Sequence, residues 1–209
     1  MSAGRVAIVD LGLGNLHSVA KAFERAGANA ELSADPEVLL RADRLVMPGQ
    51  GAFKECAHAL AGEVGDAVRA WIGSGRPYLG ICLGMQALFE SSEEAPGEKG
   101  LGIFPGTVKR FAADLVDSEG RVLKVPHIGW NQIESTHPVF EDGEWYYFVH
   151  SYSCVPDDRR WVVATTDYGG PFCSAIAREN VLACQFHPEK SQHAGARLIA
   201  HFLGDVSWS

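Results

Sequence analysis

Arg76-Pro77-Tyr78-Leu79-Gly80-Ile81-Cys82-Leu83-Gly84-Met85-Gln86 decides how the rest of the chain is read. The apolar run Pro77–Ile81 has the length of a buried strand, and Leu83, Met85 and Gln86 are good helix formers. Glycines at 80 and 84 bracket the junction, so the pattern is strand, tight turn, helix. A residue between those glycines stands clear of its neighbours, at a sheet edge and against a helix N-terminus. Such a Gly-x-nucleophile-x-Gly turn, most often built on serine, exposes one reactive side chain. Here that residue is Cys82, and a thiolate is a strong nucleophile where a helix N-terminus and a histidine favour the anion. The pentapeptide alone equally describes a packing turn around an inert thiol, so its meaning depends on the rest of the chain.

Working outward, the first half alternates strand and helix signals. Strands are predicted at Arg5–Asp10, Ala28–Leu32, Arg44–Met47 and Pro77–Ile81. Helices are predicted at Leu16–Ala26, around Ala52–Leu60, and at Val64–Ile72, with Met85–Phe89 continuing the turn. This alternation predicts the α/β class: a mostly parallel central sheet flanked by helices on both faces. The second half reads as short strands at Phe104–Phe111, Arg121–Val125, Trp130–Glu134, Trp145–Val149, Trp161–Thr165, Phe172–Ala177 and Val181–Gln185. These are expected as antiparallel additions to the same sheet. Glu90–Lys99 reads as a polar surface loop, and Ser191–Leu203 as a closing helix that Ser191 caps.

A chain of 209 residues can bury a full core, and one domain over residues 1–209 is expected. The net charge of −8 argues against a nucleic-acid partner. No stretch approaches the ~20 apolar residues that cross a bilayer, so no membrane partner is expected. Met1–Gly4 runs straight into a strand rather than a signal peptide, and a cytoplasmic protein is expected. The cysteines at 56, 82, 154, 173 and 184 contain no Cys-x-x-Cys pair, which supports neither a zinc site nor a disulfide framework. Cys56, Cys154, Cys173 and Cys184 read as small apolar fillers.

Two other stretches carry chemistry. The apolar run Val181–Phe186 delivers His187, followed by Pro188 and Glu189. Pro188 biases His187 toward an extended conformation, in which residues i and i+2 share a face. Glu189 can then hold one ring nitrogen of His187 while the other faces a nucleophile. A surface His-Pro turn before a helix is the plainer alternative. Met47-Pro48-Gly49-Gln50-Gly51 also ends a strand, and its glycines let backbone N–H groups turn inward as an oxyanion site would require. The donors would be the amides of Gln50 and Leu83; an ordinary turn is again the plainer alternative.

Together, Pro48–Gly51, Gly80–Gln86 and His187–Glu189 resemble the class I (triad) glutamine amidotransferases, in the expected order. Asp10–Asn15, Val125-Pro-His-Ile-Gly-Trp-Asn131, Tyr147–Tyr152 and His187–Ser191 narrow the likeness to the glutaminase subunits of imidazole glycerol phosphate synthases, over essentially the whole chain. Two positions depart from that pattern: Leu11 stands where Tyr is usual, and Gln50 where Val is usual. The working group at position 50 would be a backbone amide, which the side chain does not alter.

The resemblance implies a Cys82-His187-Glu189 triad that hydrolyses L-glutamine, with no cofactor and no metal. Gly49, Gly51, Gln86, Glu94, Tyr147 and Ser151 would hold the glutamine. The ammonia would pass to a (β/α)8-barrel cyclase subunit of imidazole glycerol phosphate synthase, facing Asn15, Trp130 and Lys190. That cyclase makes imidazole glycerol phosphate and aminoimidazole carboxamide ribotide in histidine biosynthesis. The Gly49–Gln50 peptide would act as a switch that waits for ligand in the partner. Gln86 also reads as a polar residue in the first turn of its helix, Glu94 as part of a polar loop, Trp130 as a core tryptophan and Lys190 as a solvated charge. A glutaminase subunit of another pathway, a solitary cysteine peptidase or γ-glutamyl hydrolase, and a non-catalytic binding module are the rival readings. The Pro-His-Ile-Gly-Trp-Asn segment and the complete trio weigh against them.

Overall fold

The computed structural model describes residues 3–204. Its first half runs β1 (Ala3–Val9), α1 (Leu16–Arg25), β2 (Ala28–Ser33), α2 (Pro36–Arg41), β3 (Arg44–Gly49), α3 (Phe53–Ala59), α4 (Glu63–Gly73), β4 (Tyr78–Cys82) and α5 (Leu83–Gln86). The second half supplies β5 (Phe89–Ser92), β6 (Phe104–Arg110), β7 (His127–Gln132), β8 (Trp145–His150), β9 (Tyr152–Pro156), β10 (Val162–Asp167), β11 (Pro171–Arg178), β12 (Val181–Cys184) and α6 (Gln192–Leu203).

Ten strands form one sheet in the order β2-β1-β3-β4-β12-β11-β9-β6-β5, with β10 paired to β11. The block β2-β1-β3-β4-β12 is parallel throughout. Beyond it, β11, β9, β6 and β10 join antiparallel, and β5 runs parallel to β6. The central strands are buried on both faces, which is why they read as continuous apolar runs. Along β3, Leu45 and Met47 pack under α2, α3 and α4, beside Leu39, Phe53 and Trp71. Val46 faces the opposite layer of α1 and α6, beside Val19, Leu198 and Phe202. Phe23 of α1 meets Phe202 of α6 edge-on, with centroids 6.0 Å apart.

Several sequence-based expectations give way to tertiary pairing. Arg121–Val125 joins neither sheet: it folds back on Leu115–Asp117 through an isolated bridge between Val116 and Val122 and the bond from Leu123 N–H to Leu115 O at 2.8 Å, too short a pairing to build a ladder. The expected helix Met85–Phe89 stops at Gln86; Phe89 opens β5, which pairs with β6 and takes up part of the polar loop expected over Glu90–Lys99. The strand expected at Trp130–Glu134 starts earlier, at His127, and β7 and β8 form a separate two-stranded sheet rather than additions to the large one. Ser191 makes no side-chain cap on α6; its hydroxyl is used elsewhere. Besides β5, two further elements were not expected. One is α2, which Asp35 caps at Glu37 N with Pro36 in the first turn; the other is β9.

Candidate active site

The three stretches singled out in the sequence follow the carboxyl ends of adjacent parallel strands. Gly49 of β3 pairs with Cys82 of β4, and Cys184 of β12 pairs with Ile81 of β4. His187 lies three residues beyond Cys184. The carboxyl edge of a parallel sheet is where open α/β folds place their ligands.

Cys82 sits at the end of β4 with φ 54° and ψ −107°. A non-glycine residue in that region is strained by about 1–3 kcal/mol and persists only where the surroundings impose it. Here the impositions are visible. A Cβ on Gly84 would lie 1.7 Å from the Met47 carbonyl oxygen, and one on Gly49 would lie 2.9 Å from Leu83 Cβ. The turn is therefore clamped against β3 at two glycines. Strand alternation would send residue 82 to the face occupied by Tyr78, yet Cys82 packs with the opposite cluster, beside Ile81 and Phe186. That is also the side on which His187 emerges.

His187 is 1% exposed, and its Nδ1 donates to Glu189 Oε1 at 2.8 Å. That bond orients the ring and leaves Nε2 on the side away from the carboxylate. Nε2 is buried and unpaired by strict hydrogen-bond geometry. Burial pushes the imidazole toward neutrality, but the Cys82 sulfur and the Glu189 carboxylate outweigh it and raise His187 to about 10. The site thus favours a charged imidazole beside the sulfur. The backbone around the ring is pinned as well: His187 N–H donates to Tyr147 O at 2.9 Å. Ser191 Oγ donates to His187 O at 2.6 Å and accepts from Tyr147 N–H at 3.0 Å. The hydroxyl expected to cap α6 instead ties the histidine loop to β8.

The other four cysteines sit in apolar surroundings that favour the neutral thiol. Burial pushes Cys56 and Cys173 up to about 12, and Cys154 and Cys184 well above the ordinary thiol range.

A cleft of about 270 Å³ opens over Cys82, lined among others by Gln50, Gly51, Leu83, Gln86, Glu94 and Ser151. That is just below the ~300 Å³ at which drug-sized pockets begin, a size suited to an amino acid. Glu94 also accepts from Phe53 N–H at 2.9 Å, capping α3 where Ala52 offers no side chain. Tyr147 is not among the cleft-lining residues; its ring lies 6.1 Å from Trp130 and 5.8 Å from the Lys190 ammonium, on the outer face of the β7–β8 ribbon. Trp130 is 42% exposed there, with Ile128 and Trp145 also exposed on the ribbon. Asn15 caps α1, accepting from Ser18 N–H at 3.3 Å, and lines a narrow crevice with Gly49, Gln50, His187 and Glu189. Among the described residues, no group of three His, Cys, Asp or Glu side chains is arranged to hold a metal ion.

Two polar residues at this site escaped the sequence reading. Gln185, fully buried, donates from Nε2 to Cys82 Sγ at 3.5 Å. Its signal was present: it is the one amide in the run Val181–Phe186 and stands two residues before His187, on the same face of an extended segment. His150 lines the cleft and bonds through Nδ1 to Tyr152 O at 2.8 Å. Nothing in its local sequence separates it from a surface strand histidine.

A cysteine on a strained strand-to-helix turn, facing a buried carboxylate-steered histidine at the edge of a parallel sheet, defines the class of the protein. The family model for glutamine amidotransferase class-I matches residues 7–206, and the chain belongs to that family. Within it, the chain is 50% identical over 207 residues to the imidazole glycerol phosphate synthase subunit HisH of Syntrophotalea carbinolica, covering 96% of this chain and 100% of that one. It is 48% identical to the subunit of the same name from Methylococcus capsulatus, covering 98% of each. A crystal structure of a glutamine amidotransferase aligns with TM-score 0.73 at 22% identity, over 95% of this chain and 96% of that one. The Thermotoga maritima PurLQS structure aligns with TM-score 0.71 at 17% identity, over 95% and 96%. These two show the shared fold.

Proposed function

We propose that the chain is the glutaminase subunit of an imidazole glycerol phosphate synthase, hydrolysing L-glutamine to glutamate and ammonia for a cyclase subunit in histidine biosynthesis. The observation that carries this is the strained Cys82 turn beside a buried His187 whose Nδ1 is held by Glu189. The class I family model and the near-full-length HisH relatives support the same reading.

The chemistry follows from those groups. Cys82 gives its proton to His187 Nε2, and the sulfur attacks the side-chain carbonyl carbon of glutamine. The oxyanion of the tetrahedral intermediate is held by the backbone N–H groups of Gln50 and Leu83; losing one such donor costs about 3 kcal/mol in comparable sites. The C–N bond then breaks as the imidazolium returns its proton to the departing nitrogen, releasing ammonia and leaving a glutamyl thioester. His187 takes a proton from water, the hydroxide adds to the thioester, and the C–S bond breaks to give glutamate and the free thiol. Glu189 keeps the ring oriented and offsets its charge in both halves. Gln86, Glu94 and Ser151 line the cleft that receives the amino acid, with Gly49 and Gly51 shaping the oxyanion strand, while Tyr147 stands outside the cleft lining.

Ammonia is useful only if it reaches an acceptor before protonation and escape. The acceptor is a (β/α)8-barrel cyclase, forming a heterodimer across the face carrying Asn15, Trp130 and Lys190, in the cytoplasm. The exposed Trp130 and its neighbours Ile128 and Trp145 are the kind of apolar patch that marks such a face. Glutamate release by the wild type and by Cys82→Ala, with and without the cyclase and its nucleotide, tests both parts. Cys82→Ala abolishes release, and partner plus nucleotide raises the wild-type rate. Hydrolysis that survives Cys82→Ala removes the assignment.

A further inference from the structure

Gln185 is a polar side chain with no exposure, at the end of a strand that is otherwise apolar. A buried amide with unmet hydrogen bonds costs several kcal/mol, so its partners define its purpose. Its backbone N–H donates to Ser174 O at 2.9 Å. Its side chain belongs to a short relay whose polarity is set from one end. Tyr152 O can only accept, so the Gln86 atom 3.2 Å away is its NH2 group. That same NH2 lies 3.0 Å from Gln185, which must present its carbonyl oxygen there. The Gln185 NH2 is left facing Cys82 Sγ at 3.5 Å. No freely rotating hydroxyl interrupts the chain, so the orientation follows without choice.

We propose that Gln185 is a positioning residue that holds the Cys82 sulfur in its anionic form, with Gln86 fixing the orientation of its amide. The inference rests on Cys82 being the nucleophile. An N–H donor stabilises a thiolate far more than a thiol, since neutral sulfur is a weak acceptor and charged acceptors bond about twice as strongly. The donor approaches from the tail of β12, two residues before the base. One strand end therefore supplies both the proton acceptor and the group that keeps the resulting charge in place.

The test compares wild type, Gln185→Met and Gln185→Glu as full-length chains. Met keeps the volume and removes the donor; Glu turns an acceptor toward the sulfur. The readout is the rate of Cys82 alkylation by iodoacetamide as a function of pH, followed by the mass of the Cys82 peptide. Expected is a roughly tenfold slower reaction at pH 7 for Gln185→Met, a larger loss for Gln185→Glu, and convergence with wild type at high pH. The kcat for glutamine falls by a similar factor while KM stays within about twofold. Profiles that superpose for wild type and Gln185→Met overturn the proposal. Should the variants fail to fold, side-chain amide NMR of wild type labelled with 15N-glutamine replaces them. One NH2 pair must titrate together with the alkylation rate and lose that step in Cys82→Ala; no such pair overturns the proposal. Alkylation does not involve glutamine, so these results are independent of whether Cys82→Ala still hydrolyses it.

Discussion

Acid weakens this protein through a histidine pair that the chemistry does not use. His150 is 6% exposed, with its ring 5.2 Å from both Phe111 and Phe172. Its Nδ1 donates to Tyr152 O, so its Nε2 must accept, and it accepts from His127 Nδ1 at 3.1 Å. His127 Nε2 in turn accepts from Asn131 Nδ2 at 3.4 Å, while the same amide donates to Asp167 O at 2.9 Å. Every ring nitrogen has its role in the neutral state, and an added proton meets no acceptor. Burial, reinforced by the neighbouring His127 and His187 charges, pushes His150 down to about 3; burial pushes His127 down to about 4. The unfolded chain titrates near 6.5. A folded value below the unfolded one means that the unfolded state takes up the proton, so stability is complete above pH ~7 and falls as the pH drops through 6.5. Between pH 7.5 and pH 5 that amounts to about 2 kcal/mol for His150. His187 works the other way: its raised value of about 10 makes the folded chain the proton binder. Its contribution is complete below pH ~6.5 and lost as the pH rises through about 10, so it opposes part of the histidine pair's loss on the same descent. The wild-type slope mixes these effects, and a variant separates them. Urea unfolding of wild type and His150→Asn at the two pH values should show wild type losing about 2 kcal/mol more than the variant. Equal losses in the two proteins would refute the reasoning.

Gly84→Ala should cost about 3 kcal/mol or more in urea unfolding, because the new methyl would lie 1.7 Å from the Met47 carbonyl oxygen and must push β3 and α5 apart. Glu189→Gln should lower kcat about a hundredfold or more with KM little changed, since the imidazole loses the carboxylate that favours its charge; steady-state glutamine kinetics check it. Ser191→Ala strips the buried Tyr147 N–H of its acceptor and frees the His187 loop. It should cost about 1–3 kcal/mol of stability and lower kcat, read by denaturation and turnover. Trp130→Ala should leave the unfolding free energy of the isolated chain within about 0.5 kcal/mol, yet weaken cyclase binding by about 2 kcal/mol in calorimetry.

What the sequence reveals of this molecule is what is local to it. The strand before Cys82 is legible because a strand buried on both faces has no polar side to blur it, and the glycines after it leave few conformations for the turn. His187 and Glu189 are legible as a pair because i and i+2 on an extended segment face the same way. The errors arise where partnering, not propensity, decides. Val122, Leu123 and Val125 form a respectable strand sequence, but their neighbour is the short segment Leu115–Asp117 rather than a strand of either sheet, and Val122 ends 74% exposed. Ala87-Leu88-Phe89 continues a helix pattern, yet pairing with Phe104 draws Phe89 into β5. The alternation in Trp145–His150 is regular, but which pleat faces inward depends on β7 and on the aromatic cluster beneath it.

Gln185 marks the same boundary inside the site. Its two side-chain partners, Gln86 and Cys82, are 99 and 103 positions away along the chain. No window short enough to carry periodicity contains even one of them. Yet burial of a lone amide within an apolar run is itself informative, because such a group survives only where the fold brings it partners. Thr166 and Ser174 bury hydroxyls that find no partner, and the three large polar side chains buried between β7 and the end of β12 outside the triad are His127, His150 and Gln185. All three have hydrogen-bond partners, and two of them stand on the cleft: His150 in its wall and Gln185 against the sulfur. Large polar side chains inside strands that ought to be apolar therefore mark part of the cleft wall, beside the three motifs that mark its centre.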